Sequence, residues 1–75
     1  MDIRVKLIEV QGEEQSEFAD LLDLEGTLDN NPKARLFNPD NSNDTLTMPV
    51  KSIKDETKYI TVKTKLGNTF IFQKL

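Results

Sequence analysis

Residues 2–10 alternate between apolar and charged side chains. Ile3, Val5 and Leu7 fall on one parity and Arg4 and Lys6 on the other, which predicts a strand with one face on a core. Ile8 and Val10 lie on the second face, so that face is expected to be partly covered as well. Gln11-Gly12 breaks the pattern. Phe18, Leu21 and Leu22 then recur at helical spacing, with Glu14, Glu17, Asp20 and Asp23 on the remaining arc. This predicts a short acidic helix over residues 13–24, stopped by Gly26. Acids suit the first turn of a helix, but Asp20, Asp23 and Glu25 oppose the dipole at its end. The helix therefore needs packing through Phe18 and Leu21 to persist.

Residues 27–45 read as a long polar insert. They hold five asparagines and two Asn-Pro steps, Asn31-Pro32 and Asn38-Pro39, each of which marks a turn. The apolar anchors are Leu28, Ala34, Leu36 and Phe37. A loop this long is unusual in a small domain, and a short strand or helical turn near residues 33–37 would divide it. Alternation returns with Leu46, Met48 and Val50. Pro49 argues for an edge strand or a late start, and Ile53 on the opposite parity argues for a bulge near Lys51 or Ser52. Asp55-Glu56 is expected to turn. Residues 58–66 and 69–75, around Gly67-Asn68, give a terminal hairpin rich in β-branched and aromatic residues.

The hairpin register decides what the lysines face. A two-residue Gly67-Asn68 loop puts Lys63, Lys65, Lys74, Phe70 and Phe72 on one face, a surface on which nucleic-acid bases could stack. An odd loop, such as Leu66-Gly67-Asn68, groups Ile60, Val62, Phe70 and Phe72 on one face. Thr61, Lys63, Lys65, Thr69, Ile71 and Gln73 then share the other. Burial normally decides register, so the odd loop is expected and the two phenylalanines belong to the core.

Together these elements predict an α+β, mainly β domain. It would be a small antiparallel four-stranded sheet or partly open barrel with one short acidic helix, and residues 1–75 would form a single domain. The expected core is Ile3, Val5, Leu7, Phe18, Leu21, Met48, Val50, Ile60, Val62, Phe70 and Phe72. Seventy-five residues bury a modest fraction of their surface, and without cysteine no disulfide can add stability. The start of the sequence does not resemble a signal peptide, and no apolar run approaches a membrane span. A soluble, cytoplasmic protein is expected.

Charge changes this picture most. Residues 1–44 carry 11 acids against Arg4, Lys6, Lys33 and Arg35, a net −7. Residues 45–75 carry six lysines against Asp55 and Glu56, a net +4. Such a division gives either an oriented electrostatic surface or two halves that neutralise each other in the fold.

Candidate chemistry is sparse. With no histidine or cysteine, the usual Zn, Cu and Fe–S sites are excluded. Asp40-Asn41-Ser42-Asn43-Asp44 is spaced like the start of a calcium loop. Thr45 and Lys51, however, stand where that loop needs glycine and a bidentate glutamate, so an Asx-rich turn is expected. Asn43-Asp44-Thr45 fits a glycosylation sequon only by composition. Glu13 with Glu17, Glu17 with Asp20 and Asp20 with Asp23 pair carboxylates, but nothing suggests a cleft to desolvate one of them. Ser16, Ser42 and Ser52 have no histidine partner, and Gly12, Gly26 and Gly67 are too scattered for a phosphate loop. The chain is expected to be no enzyme and to use no cofactor or metal.

Two binding readings remain. In the first, a larger protein is engaged through an acidic face of Glu13, Glu14, Glu17, Asp20 and Asp23. Dense carboxylates on a small scaffold imitate nucleic-acid phosphates and steer toward nucleic-acid-binding proteins. In size and charge the chain resembles small phage-encoded inhibitors of host defence, the anti-CRISPR proteins among them. The closing Val50-x-x-Ile53 strand and Lys/Thr-rich hairpin are loosely similar to short proteins of bacterial mobile elements. In the second reading, Lys51, Lys54, Lys58, Lys63, Lys65 and Lys74 bind nucleic-acid phosphates. The acidic pI and the lack of arginine after residue 44 weigh against it. A third possibility is a structural subunit that self-assembles through exposed β edges.

Overall fold

In the computed structural model, which describes residues 2–41 and 44–75, six antiparallel strands form a closed barrel. They are β1 (Ile3–Gln11), β2 (Glu25–Leu28), β3 (Ala34–Pro39), β4 (Leu46–Asp55), β5 (Tyr59–Thr64) and β6 (Thr69–Lys74). Each pairs with its sequence neighbour, and β6 returns to pair with β1. The barrel therefore has six strands where the hydrophobic pattern predicts four, and it is closed rather than partly open.

The two additional strands come from the polar insert. The stretch expected as a long polar insert is thus largely strand, and β3 is the element that divides it. Leu28 of β2 lies opposite Phe37 of β3, and both are buried. Strands of four and six residues containing Gly26 and Pro39 are too short and too polar to show alternation. Their pairing partners, more than their own propensities, hold them extended.

Strand alternation delivers the core. Val5, Leu7, Val10, Leu28, Phe37, Met48, Ile60, Val62, Phe70 and Phe72 point into the barrel and are buried. Ile3, Phe18, Leu21, Leu46, Val50 and Ile53 pack around them. All eleven expected core residues are thus in or against it. Val10 reaches the interior because a register shift between Leu7 and Glu9 reverses the parity of β1. A second shift, between Val50 and Ser52, is the expected bulge in β4. Phe37 meets Phe72 with ring centroids 5.1 Å apart.

The expected α-helix over 13–24 is instead a 3-10 helix, Gln15–Leu21. Side chains three apart stack in 3-10 geometry, which puts Phe18 and Leu21 on one side, toward the core. Phe18 sits edge-on to Phe70 at 5.0 Å. The helix ends early because the chain must enter β2. Leu22 is extended and Asp23 adopts φ 67°. The Asp23 N–H donates to the Leu7 carbonyl at 2.7 Å, and Leu7 N–H donates to the Leu24 carbonyl at 3.1 Å. Gly26 is accordingly no helix stop. It lies within β2 opposite Val5 and Pro39.

The β5–β6 hairpin has the expected faces but a different loop. Val62 pairs with Phe70 and Lys63 with Thr69, leaving residues 65–67 as the turn and Gly67 at φ 90°. Thr64 and Asn68 close it: Asn68 N–H donates to Thr64 Oγ1 at 3.1 Å, and Thr64 N–H donates to the Asn68 carbonyl at 2.8 Å. Both are buried. Pro49, expected at an edge, lies inside β4 opposite Ala34. Its carbonyl accepts from Lys65 N–H at 2.9 Å, just beyond the last residue of β5.

Two substitutions test this architecture. A Cβ on Gly26 would sit 2.8 Å from the Pro39 Cα and overlap the Asn38 backbone, so neither neighbour can yield cheaply. Gly26→Ala is expected to cost about 1–3 kcal/mol in urea denaturation. Phe37→Ala removes a fully buried ring from the former insert. It should cost about 3–5 kcal/mol, enough to unfold much of a domain this small. If Phe37→Ala unfolds at the wild-type midpoint, β3 is not part of the core.

Candidate functional site

The five predicted acids gather on one connecting segment, whereas the six lysines are spread over β4, β5, β6 and their turns. In the ring order, β1 and β2 stand across from β4 and β5. Glu13, Glu14, Glu17, Asp20 and Asp23 all lie on the segment joining β1 to β2, which caps one barrel end through Phe18 and Leu21. Glu14 is half-buried and the other four are exposed. None forms an ion pair among the described residues. Among the described residues, Glu14 is the one whose carboxylate is tied down, accepting a long 3.4 Å hydrogen bond from Asn68 Nδ2. That contact joins the cap to the β5–β6 turn, and the sequence pattern did not mark Asn68 for it.

The six lysines separate into two groups. Lys51 sits at the β4 bulge, Lys63 faces outward opposite Ser52, and Lys65 lies in the β5–β6 turn. Lys54, Lys58 and Lys74 cluster at the other end, around the β4–β5 turn. There Lys54 Nζ lies 3.9 Å from Glu56 and Lys74 Nζ lies 2.5 Å from Asp55. Phe70 and Phe72 are buried, so no base can stack on them. Tyr59 is the exposed aromatic of these strands, at 41%.

The Lys54–Glu56 and Lys74–Asp55 pairs lie within the basic half of the sequence, so they do not join it to the acidic half. A further ion pair crosses three strands. Arg4, on β1, reaches over β2 to Asp40 at the end of β3, with Nη1–Oδ1 at 2.6 Å and Nη2–Oδ2 at 2.5 Å. Asp40 N–H also donates to the Glu25 carbonyl at 3.0 Å. The hydrogen bonds from Arg4 hold the Asp40 carboxyl below its ordinary value, and Asp40 raises Arg4 in turn. Asp40 thus serves as a cross-strand clamp. Ser42 and Asn43, the centre of the calcium-like cluster and the start of the sequon, lie outside the described residues. Among the described residues, no group of three or more acids could hold a metal ion, and no helix is long and apolar enough to cross a membrane.

The opposite barrel mouth was not marked by any motif. Arg35 and Asp55 line a cavity there with Asp29 and Asn30. The available signal was parity, since Arg35 is two residues before buried Phe37 and so points inward. No family model, curated protein or solved structure matches the chain.

The clamp makes a pH prediction. A carboxyl whose folded value is depressed contributes stability above its unfolded value and loses it as pH falls through the folded one. Wild type should therefore lose urea resistance below about pH 4 more steeply than Asp40→Asn. Identical slopes would show that the Arg4–Asp40 pair contributes nothing to stability.

Proposed function

We propose that this protein is a non-catalytic binding module that engages a larger protein through its acidic cap. The observation that carries this reading is the placement of Glu13, Glu14, Glu17, Asp20 and Asp23 on the one segment that joins β1 to β2, without ion-pair partners among the described residues. Carboxylates gathered on a small rigid body steer toward a basic surface. The partner is a protein whose basic groove ordinarily accepts nucleic-acid phosphates, and the module acts as its inhibitor in the cytoplasm. The analogy with phage and mobile-element inhibitors belongs to this proposal and rests on size and charge.

The lysine strands supply the second reading. Lys51, Lys63 and Lys65 are exposed and have no acidic partner among the described residues. They offer phosphate contacts but not the phenylalanine platform, since Phe70 and Phe72 face inward. For self-assembly, the ring leaves only short stretches paired on one side, such as residues 52–55 of β4, which pair with β5 alone.

The variant Glu13→Lys/Glu17→Lys/Asp20→Lys leaves Glu14 and its Asn68 contact in place. It should fold as wild type by NMR dispersion, yet lose at least tenfold of the salt-sensitive capture of basic proteins from host lysate. Capture at the wild-type level would remove the acidic cap from the function. A parallel NMR titration uses a mixed single- and double-stranded oligonucleotide at low and physiological salt. No shift at Lys51, Lys63 and Lys65 is expected, and saturable, salt-dependent shifts there would replace this reading with the nucleic-acid one.

A further inference from the structure

The 3-10 helix closes one end of the barrel, and the other end is lined by a different set of groups. Ile3 pairs with Leu28 there, and Ile60 with Asp55. Together with Ile53, the four aliphatic side chains wall a cavity of about 70 Å³, whose rim carries Asp29, Asn30, Arg35 and Asp55. Arg35 enters from β3 on the same parity as buried Phe37. Its Nη1 donates to the Asp29 carbonyl at 2.8 Å and to Asn30 Oδ1 at 2.5 Å, which fixes the guanidinium plane. Its Nε is buried without a hydrogen-bond partner.

Both acids on the rim are already engaged. Asp29 Oδ1 accepts the Leu36 N–H at 2.9 Å, and Asp55 Oδ1 lies 2.5 Å from Lys74 Nζ. Arg35 therefore has no carboxylate counter-ion among the described residues. A buried N–H without a partner is costly, and a guanidinium edge matches a carboxylate in shape and charge.

We infer that this mouth is a binding site for a small aliphatic carboxylate, with the carboxylate at the rim beside the Arg35 guanidinium and the short tail against Ile3, Leu28, Ile53 and Ile60. The cavity is about half the roughly 150 Å³ that accommodates the six carbons of benzene, so it holds a tail of about one to three carbons with the carboxylate outside it at the rim, as in acids of two to four carbons. A ligand of so few atoms, binding one partly screened charge, should have a dissociation constant of about a millimolar. The site lies at the far end of the barrel from the acidic cap and does not depend on the proposed protein partner.

The test is an NMR titration of the full chain with sodium acetate and sodium butyrate, against sodium chloride at equal ionic strength. Saturable shifts are expected at the Arg35 Nε–H and at the amides of Ile3, Leu28 and Asp55. Butyrate should bind several-fold more tightly than acetate, and binding should fall as pH drops through the acid's own pKa, about 4–5. Arg35→Gln should abolish the shifts. Should that variant misfold, Ile53→Phe supplies the second arm, because it narrows the cavity while leaving Arg35 intact and should weaken butyrate more than acetate. Equal shifts with chloride, or an Arg35 Nε–H that does not move at 50-fold the expected dissociation constant (about 50 mM), would overturn the site.

Discussion

The structure depends on the pairing of β1 with β6. This ladder, from Val5 opposite Lys74 to Gln11 opposite Thr69, turns a six-strand meander into a ring. It sets Leu7 beside Phe72 and Val10 beside Phe70, and Phe72 in turn meets Phe37 from β3. Without closure the inward side chains would face water along one seam, and a domain of this size has little other apolar area to lose. The same ladder joins segments some sixty residues apart, so its entropic cost falls late, after the local hairpins exist. Closure also shortens the strand edge open to unwanted pairing, which otherwise calls for charges or proline at an edge. Pro49 inside β4 is compatible with this because its missing N–H lies beside the last residue of β5, where the ladder has already given way to the turn.

Much of the core was legible in the sequence because side chains in β1, β5 and β6 alternate strongly. The favoured hairpin faces follow from burial alone, and the register confirms them even though the turn is residues 65–67. The bulge in β4 was legible from the parity of Ile53. What escaped was whatever depends on partners distant in sequence. Leu28 and Phe37 look like isolated apolar residues in a polar stretch, and only their mutual pairing makes them core. The length of the helix escaped for a related reason. Residues 22–24 have helical composition, but backbone bonds to Leu7 pull them toward β2.

Legibility of the candidate sites divides along the same line. The acidic cap could be read directly, since it is contiguous and its acids need no partner to be placed on the surface. The aromatic platform required a register, and burial decided against it. The mouth around Arg35 draws its residues from five strands and the β2–β3 loop, so no local spacing announces it. An inward arginine is visible only once Phe37 is known to face the core.

Closure has a consequence for how the molecule can be presented to others. Leu75 N–H donates to the Arg4 carbonyl at 3.0 Å, so the first and last described segments run side by side. They meet at the Arg35 mouth, across a body about 20–26 Å in extent from the acidic cap. A label, tether or neighbouring domain joined before Asp2 or after Leu75 would leave from that one end. Surface immobilisation through either terminus therefore orients every copy alike, with the carboxylates of the cap turned outward and the aliphatic cavity nearest the support.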